Sequence, residues 1–349
     1  MSTYRKKPFF LAKSAFFVIF FTLISGSFTL AIAQTVEGEA AHQPKEAVNI
    51  SEVIIEHVLD NHVWHFVDGH YGSLYLPVIV YSREQGLDIF SSGNFYDEHH
   101  QIVGYNGYKL EHNKIYLGDK PVLDLSITKN VAMLFINALV LVLVMTSVAR
   151  AYKRNIGRAP SGLQSFIEVI VVFVRDEVVK PNIGHKYQAY LPYLLTLFFF
   201  ILFGNLLGLL PGAANLTGNI AVTFTLATLT FLITNYSGSG NYWKHIFWTP
   251  GVPLPIRIIV LPVEIIGMFT KPFSLMIRLF AAITAGHIVL LGLMGLVFLF
   301  QSWWVGFGSS IFVLFITLIE LLVAGIQAYV FTLFTSLYIG LAVEEPEHH

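Results

Sequence analysis

Long apolar runs separated by short polar turns fill the second half of the chain, whereas residues 34–129 are polar with only brief apolar strings. Residues 131–148, 189–210 and 220–234 each approach the ~20 residues needed to cross a bilayer as a helix. Two further runs, 256–300 and 305–341, exceed a single crossing. They must break into shorter pieces or lie steeply tilted, and Pro262 and Pro272 permit local bends. Residues 161–180 are amphipathic and carry Glu168, Arg175, Asp176 and Glu177, too much charge for a span. An interfacial helix is predicted there. The strings GAANLTGN and YSGSGNYWKHIFW read as an outer turn and a cytoplasmic loop.

Arg5, Lys6 and Lys7, an apolar stretch and Ala31-Ile32-Ala33 give residues 1–33 the pattern of a secretory signal peptide. An uncleaved first span is the alternative. Residues 34–129 combine helical periodicity at 48–60 with later strand alternation and turn signals, which predicts a small extramembrane domain containing β structure. The signal puts that domain on the outer side of a bacterial-type inner membrane. Arg150, Lys153, Arg154 and Arg158 follow the first mature span, so the positive-inside rule gives the same orientation. The expected fold is an all-α polytopic membrane protein with about five transmembrane helices, the last two long and tilted. Its predicted divisions are 1–33, 34–129, a membrane domain over 130–343 and a cytoplasmic tail over 344–349.

Composition supports this class: 55% of the 349 residues are hydrophobic and 12% charged. The formal net charge of −1 gives no basis for nucleic-acid binding. Cysteine is absent, which excludes disulfides, thiolate metal sites and a cysteine nucleophile. Eight histidines (His42, His57, His62, His65, His70, His99, His100 and His112) fall in the outer block. Without cysteine or a HExxH frame they read as solvated or packed rather than metal-binding, and no cofactor is expected. No GxxxxGK[ST] motif exists for direct nucleotide binding. Ser237-Gly238-Ser239-Gly240 and nearby His245 lack a G-x-S-x-G elbow, which argues against an intramembrane hydrolase.

The candidate chemistry is polar residues inside apolar runs. A central arginine costs about 2.5–3.5 kcal/mol on insertion scales and cannot shed its proton. Arg278 is such a residue. At about 100° per residue, Glu264, Lys271, Ser274 and Arg278 share one helix face. His287, nine residues beyond Arg278, falls on the opposite face. Glu320 and Gln327, seven residues apart, share a face of the final helix. Each has a structural alternative: Glu264 as an interfacial acid, Lys271 as a snorkelling cation, and Asn205, His287 and Glu320 as interhelical hydrogen bonders. Together they describe two offset polar paths with a fixed cation between them. Histidine and carboxylate change protonation and pass protons, while arginine repels a second cation. Such a device needs a mobile carboxylate on a partner. A secondary ion transporter is the rival reading, but it would show paired inverted repeats with broken helices, and none is visible.

KPFSLMIRLFAAITAGHIVL with Arg278, LIELLVAGIQAYVFTLFTSLYIGLA with Gln327, and GNLLGLLPG around Asn205 resemble subunit a of the F-type ATP synthase membrane sector. The resemblance spans residues 128–343. It implies a non-catalytic stator that faces a ring of c subunits, joins a b-subunit peripheral stalk and the remaining synthase subunits, and sits in the lipid bilayer. Arg278 matches the arginine that meets each ring carboxylate. Gln327 matches the glutamine near it, Glu264 and Ser274 match cytoplasmic half-channel positions, and His287 with Glu320 match outer ones. Many bacterial members have glutamate first and histidine second, so this chain resembles the exchanged form. Ala281-Ala282 stands where the family often has Gly-Asn. The long outer block is atypical of shorter members.

Overall fold

The structure, a computed structural model, describes residues 60–65, 73–97, 102–111, 114–118, 120–157, 159–210, 212–248, 253–300 and 303–343. The signal segment 1–33, the helical pattern before Asp60, Arg158, the tail 344–349 and His42, His57, His70, His99, His100 and His112 lie outside them. Two compact units result, one built on residues 61–129 with 210–213, the other on 130–209 with 214–343.

The first unit is made of short antiparallel strands. β1 (Val63–His65) pairs with β2 (Ser73–Tyr75). β3 (Pro77–Ser82) lies between β4 (Gly86–Ser91) and β8 (Leu123–Asp124), and β5 (Tyr108–Glu111), β6 (Lys114–Leu117) and β7 (Lys120–Pro121) form a third sheet. Alternation along β3 buries Val78 and Val80, which pack with Phe95, Tyr108, Leu110 and Ile115. Asn106 (φ 51°) and Gly107 (φ 82°) close the two-residue turn before β5, where positive φ at both positions favours Asn-Gly. The Trp64 indole donates to the Gly212 carbonyl at 2.6 Å, which ties residues 210–213 to this unit.

His62 is buried and its Nε2 lies 2.9 Å from Asp124 Oδ2. Burial works to raise the Asp124 carboxyl. Hydrogen bonds with His62 and with the side chain and backbone of Ser126 outweigh it and hold the group below the usual carboxylate range.

The second unit is helical. α1 spans Lys129–Arg154 and α2 Leu163–Phe173. A π-helical turn over Val174–Val179 and α3 (Lys180–Ile183) lead to α4 (Tyr187–Gly208). The predicted interfacial segment is thus joined to the following span in one helical run, Leu163–Gly208, that passes through Gly184 (φ 69°). α5 (Ile220–Tyr236) and α6 (Gly240–Phe247) meet at a 102° bend. α6 corrects the expectation of a plain loop: Ser239 caps it by accepting from Tyr242 N. α7 (Leu254–Phe300) and α8 (Trp303–Val343) are unbroken over 47 and 41 residues. At ~1.5 Å per residue α7 is about 70 Å long, more than twice the ~30 Å hydrocarbon core, and the expected break into shorter pieces does not occur in it. Pro262 and Pro272 remain inside it.

Leu194, Phe199 and Ile201 of α4 pack with Leu275 and Leu279 of α7 and with Ala328, Phe331 and Ile339 of α8 in one core. The π-turn frees the Val178 carbonyl, which accepts from Ser336 Oγ at 3.0 Å and from Asn182 Nδ2 at 2.6 Å. Gly340 lies against the Asn182 carbonyl so closely that a Cβ there would overlap it. The C-terminal end of α8 is thereby held against the π-turn and α3. Among the described residues four helical runs are long and apolar enough to cross a membrane, or five if the bent α5–α6 pair counts as one.

A carboxyl held below its unfolded value of ~3.9 stabilises the fold above that pH, and the contribution disappears as pH falls through the folded value. Acid proteolysis of the full chain should accordingly cut residues 61–129 ever faster as pH drops below ~4. Asp124→Asn should weaken protease resistance at pH 7 and flatten the acid loss. Superimposable profiles for the two proteins would contradict the pairing.

Candidate functional site

Helices α7 and α8 run antiparallel, and three contacts set their register: Gly286 with Glu320, Arg278 with Phe334, and Lys271 with Tyr338. Two separate polar levels follow from it.

At the first level a cavity of about 250 Å³ is lined by Asn205, Asn215, Ala282, Gly286, His287 and Glu320, among others. Glu320 is only 7% exposed and its Oε2 has no hydrogen-bond partner among the described residues. An unbonded buried carboxylate oxygen costs ~1–3 kcal/mol or more, a penalty relieved by a proton or a ligand. Its carboxylate lies over the bare backbone of Gly286, where an added Cβ would sit 2.5 Å from Oε1. His287, the next residue, borders the same cavity. Asn205 (2% exposed) reaches it from α4 and donates to the Ala324 carbonyl at 3.3 Å. Thr217 Oγ donates to Asn205 Oδ1 at 2.7 Å, while Asn215 Oδ1 accepts from Gly218 N at 3.1 Å. Gly208 leaves room for Asn215, whose Oδ1 lies 3.5 Å from the position of its missing Cβ.

At the second level the Arg278 guanidinium lies 4.6 Å from the Phe334 ring centroid. Lys271 Nζ lies 5.6 Å from that of Tyr338. No carboxylate is within ion-pairing distance of Arg278 among the described residues. Ser274 falls between the two cations along α7 and is exposed, and half-buried Glu264 lies within electrostatic reach of Tyr242. Gln327, half-buried, stands between Glu320 and Phe334 along α8.

His287, Glu320 and Asn205 thus share one cavity, while Arg278, Gln327, Lys271, Ser274 and Glu264 lie away from its lining. Asn205 bridges α4 and α8 and also borders the cavity. Asn215 and Thr217 left no trace in the sequence, because a turn folding back beneath a helix end has no periodicity, and Gly286 left none because its role is a close approach to Glu320 of another helix. Phe334 and Tyr338 had a signal: they lie seven and eleven residues beyond Gln327, on nearly the same stripe of α8.

Four to five long apolar helical runs among the described residues, packed around a partly polar cavity, define a multi-pass membrane protein. A family model described as ATP synthase A chain matches residues 131–340, and one described as Domain of unknown function (DUF8433) matches residues 53–130. The chain is similar to ATP synthase subunit a of Chloroherpeton thalassium, 48% identical over 64% of this chain and 69% of the relative. It is also similar to ATP synthase subunit a 2 of Chlorobaculum tepidum, 38% identical over 91% and 80%, and to ATP synthase subunit a of Anaeromyxobacter sp. (strain Fw109-5), 39% identical over 89% and 75%. The chain belongs to the ATP synthase A chain family.

The close approach at Gly286 generates a paired test. Gly286→Ala must displace the Glu320 carboxylate and should lower thermal stability in detergent by about 1–3 kcal/mol, the usual cost of overpacking. Gly292→Ala, with nothing within 4 Å of its Cβ, should be neutral or slightly stabilising. Equal thermal transitions for the two variants would refute the contact.

Proposed function

We propose that the chain is the proton-conducting stator subunit of an F-type ATP synthase, which delivers protons to and collects them from a rotating ring of c subunits. The observation that carries this reading is the isolation of Arg278: a permanent cation on an apolar helix, at a different level from the cavity and without an acidic partner among the described residues. A counter-charge supplied by another chain, such as a ring carboxylate, answers its need.

From the outer side, a proton enters the cavity past Asn215 and Asn205 and is passed between Glu320 and His287 to a ring carboxylate. One acid and one imidazole in the same cavity suit transfer, since either accepts or donates with a modest change in surroundings. Arg278 attracts each carboxylate as it loses its proton and repels a proton seeking a direct crossing. Gln327 lies along α8 between the cavity level and the Arg278 level and takes part in that exchange. On the other side Ser274, Lys271 and Glu264 border the cytoplasmic half-channel along α7.

Arg150, Lys153 and Arg154 at the end of α1 support a cytoplasmic position for that end, with the strand-rich unit in the periplasm of a bacterial inner membrane and the C-terminus in the cytoplasm. The b-subunit stalk and the other synthase subunits complete the assembly, and nucleotide chemistry belongs to those other subunits.

In inverted membrane vesicles carrying the whole complex, Arg278→Ala should abolish ATP-driven acidification while the complex stays assembled. Unchanged pumping would defeat the reading. The double exchange His287→Glu with Glu320→His should do less damage than either single loss, because the titratable couple is retained. Damage as severe as that of the worse single variant would oppose a shared role.

A further inference from the structure

Two aromatic side chains take no part in proton transfer, yet each lies under a cation of α7. Phe334 and Tyr338, one turn apart on α8, have ring centroids 6.0 Å apart. Arg278 and Lys271, two turns apart on α7, lie over them at 4.6 and 5.6 Å. The pairs form a short ladder of positive groups over π faces.

The chemistry of these partners suits the work asked of Arg278. A guanidinium is planar and weakly hydrated, and stacks readily on an aromatic face. The face attracts it through the ring quadrupole without neutralising it. A carboxylate in the same place would hold the arginine more strongly but would cancel the charge that a ring carboxylate must find. An aliphatic side chain would fill the space and offer no electrostatic hold. The two rings also stand on a closely packed stretch of α8. Phe331, Thr335, Ser336 and Ile339 are buried beside the two rings, Ser336 is bonded to the Val178 carbonyl, and Gly340 abuts Asn182.

We propose that Phe334 is a positioning residue: its ring holds the Arg278 guanidinium at a fixed level between the two half-channels while leaving its charge available, and Tyr338 steadies Lys271 in the same way. The inference rests on the role given to Arg278 above. Loss of the face lets the guanidinium wander from its level, so protons leak past it and coupling falls.

The test uses the whole complex in inverted vesicles, comparing Phe334→Leu, Phe334→Met and Phe334→Trp with the parent. ATP hydrolysis, ATP-driven acidification, passive proton leak and the amount of assembled complex are measured together. Phe334→Leu should raise leak and lower the pumping-to-hydrolysis ratio about three- to tenfold at unchanged assembly, while Phe334→Trp stays within about twofold of the parent because it keeps a π face. Phe334→Met, apolar with no π face, must behave like Phe334→Leu and replaces it should the leucine variant fail to assemble. In an Arg278→Ala background the Phe334 substitutions should have no further effect on leak, whereas a structural defect would persist there. Parent-like coupling in both aliphatic variants, equal damage from leucine and tryptophan, or an undiminished effect in the Arg278→Ala background would overturn the inference. If Arg278→Ala abolishes pumping while the aliphatic variants are silent, only the role of Phe334 fails. If Arg278→Ala itself pumps normally, the functional reading fails with it.

Discussion

A guanidinium on the face of a long apolar helix, lying over a phenyl ring and without an acid of its own chain among the described residues, is the constraint on which the rest of the membrane unit turns. Arginine keeps its proton at any physiological pH, so the charge must be matched by surroundings that persist or by a partner that arrives. Phe334 meets part of that need without neutralising the charge. The cost of holding the group inside the unit is offset by packing around it, with Leu275 and Leu279 buried within a turn of Arg278.

The antiparallel register of α7 and α8 separates this cation from the titratable cavity. Gly286 allows α7 to lie directly against the Glu320 side chain, and Gly340 allows α8 to lie against the turn after the π-helical segment. One glycine on each helix therefore sets a close approach, and the levels of Arg278 and His287 follow from the nine-residue interval between them on an unbroken helix. Proline does not interrupt that helix. Each of Pro262 and Pro272 removes one backbone hydrogen bond, yet both stay inside the helix.

The spans were legible because their signal is local: α1, α4 and α5 begin and end within a few residues of the apolar runs, except at the C-terminal end of α1, whose last turn carries the basic residues. The lengths of α7 and α8 were equally visible, but that Pro262 and Pro272 leave α7 unbroken was not. α6 hid in a short mixed string whose helix depends on the Ser239 cap. The polar residues of α7 and α8 could be assigned to faces by counting at 100° per residue, since those helices run without a break. Asn215 and Thr217 could not, because their approach to Asn205 is made by a turn folding under the end of α4, a contact that no periodicity encodes.

In the proposed function two polar inlets open to opposite sides and are kept apart at Arg278. The chain has no cysteine, so one introduced thiol is a unique probe within it. The most direct measurement is the sidedness of labelling by a membrane-impermeant thiol reagent in oriented vesicles, applied to Asn215→Cys and Ser274→Cys. The first should be modified only from the outer side and the second only from the cytoplasmic side; modification of either position from both sides would rule out separate inlets.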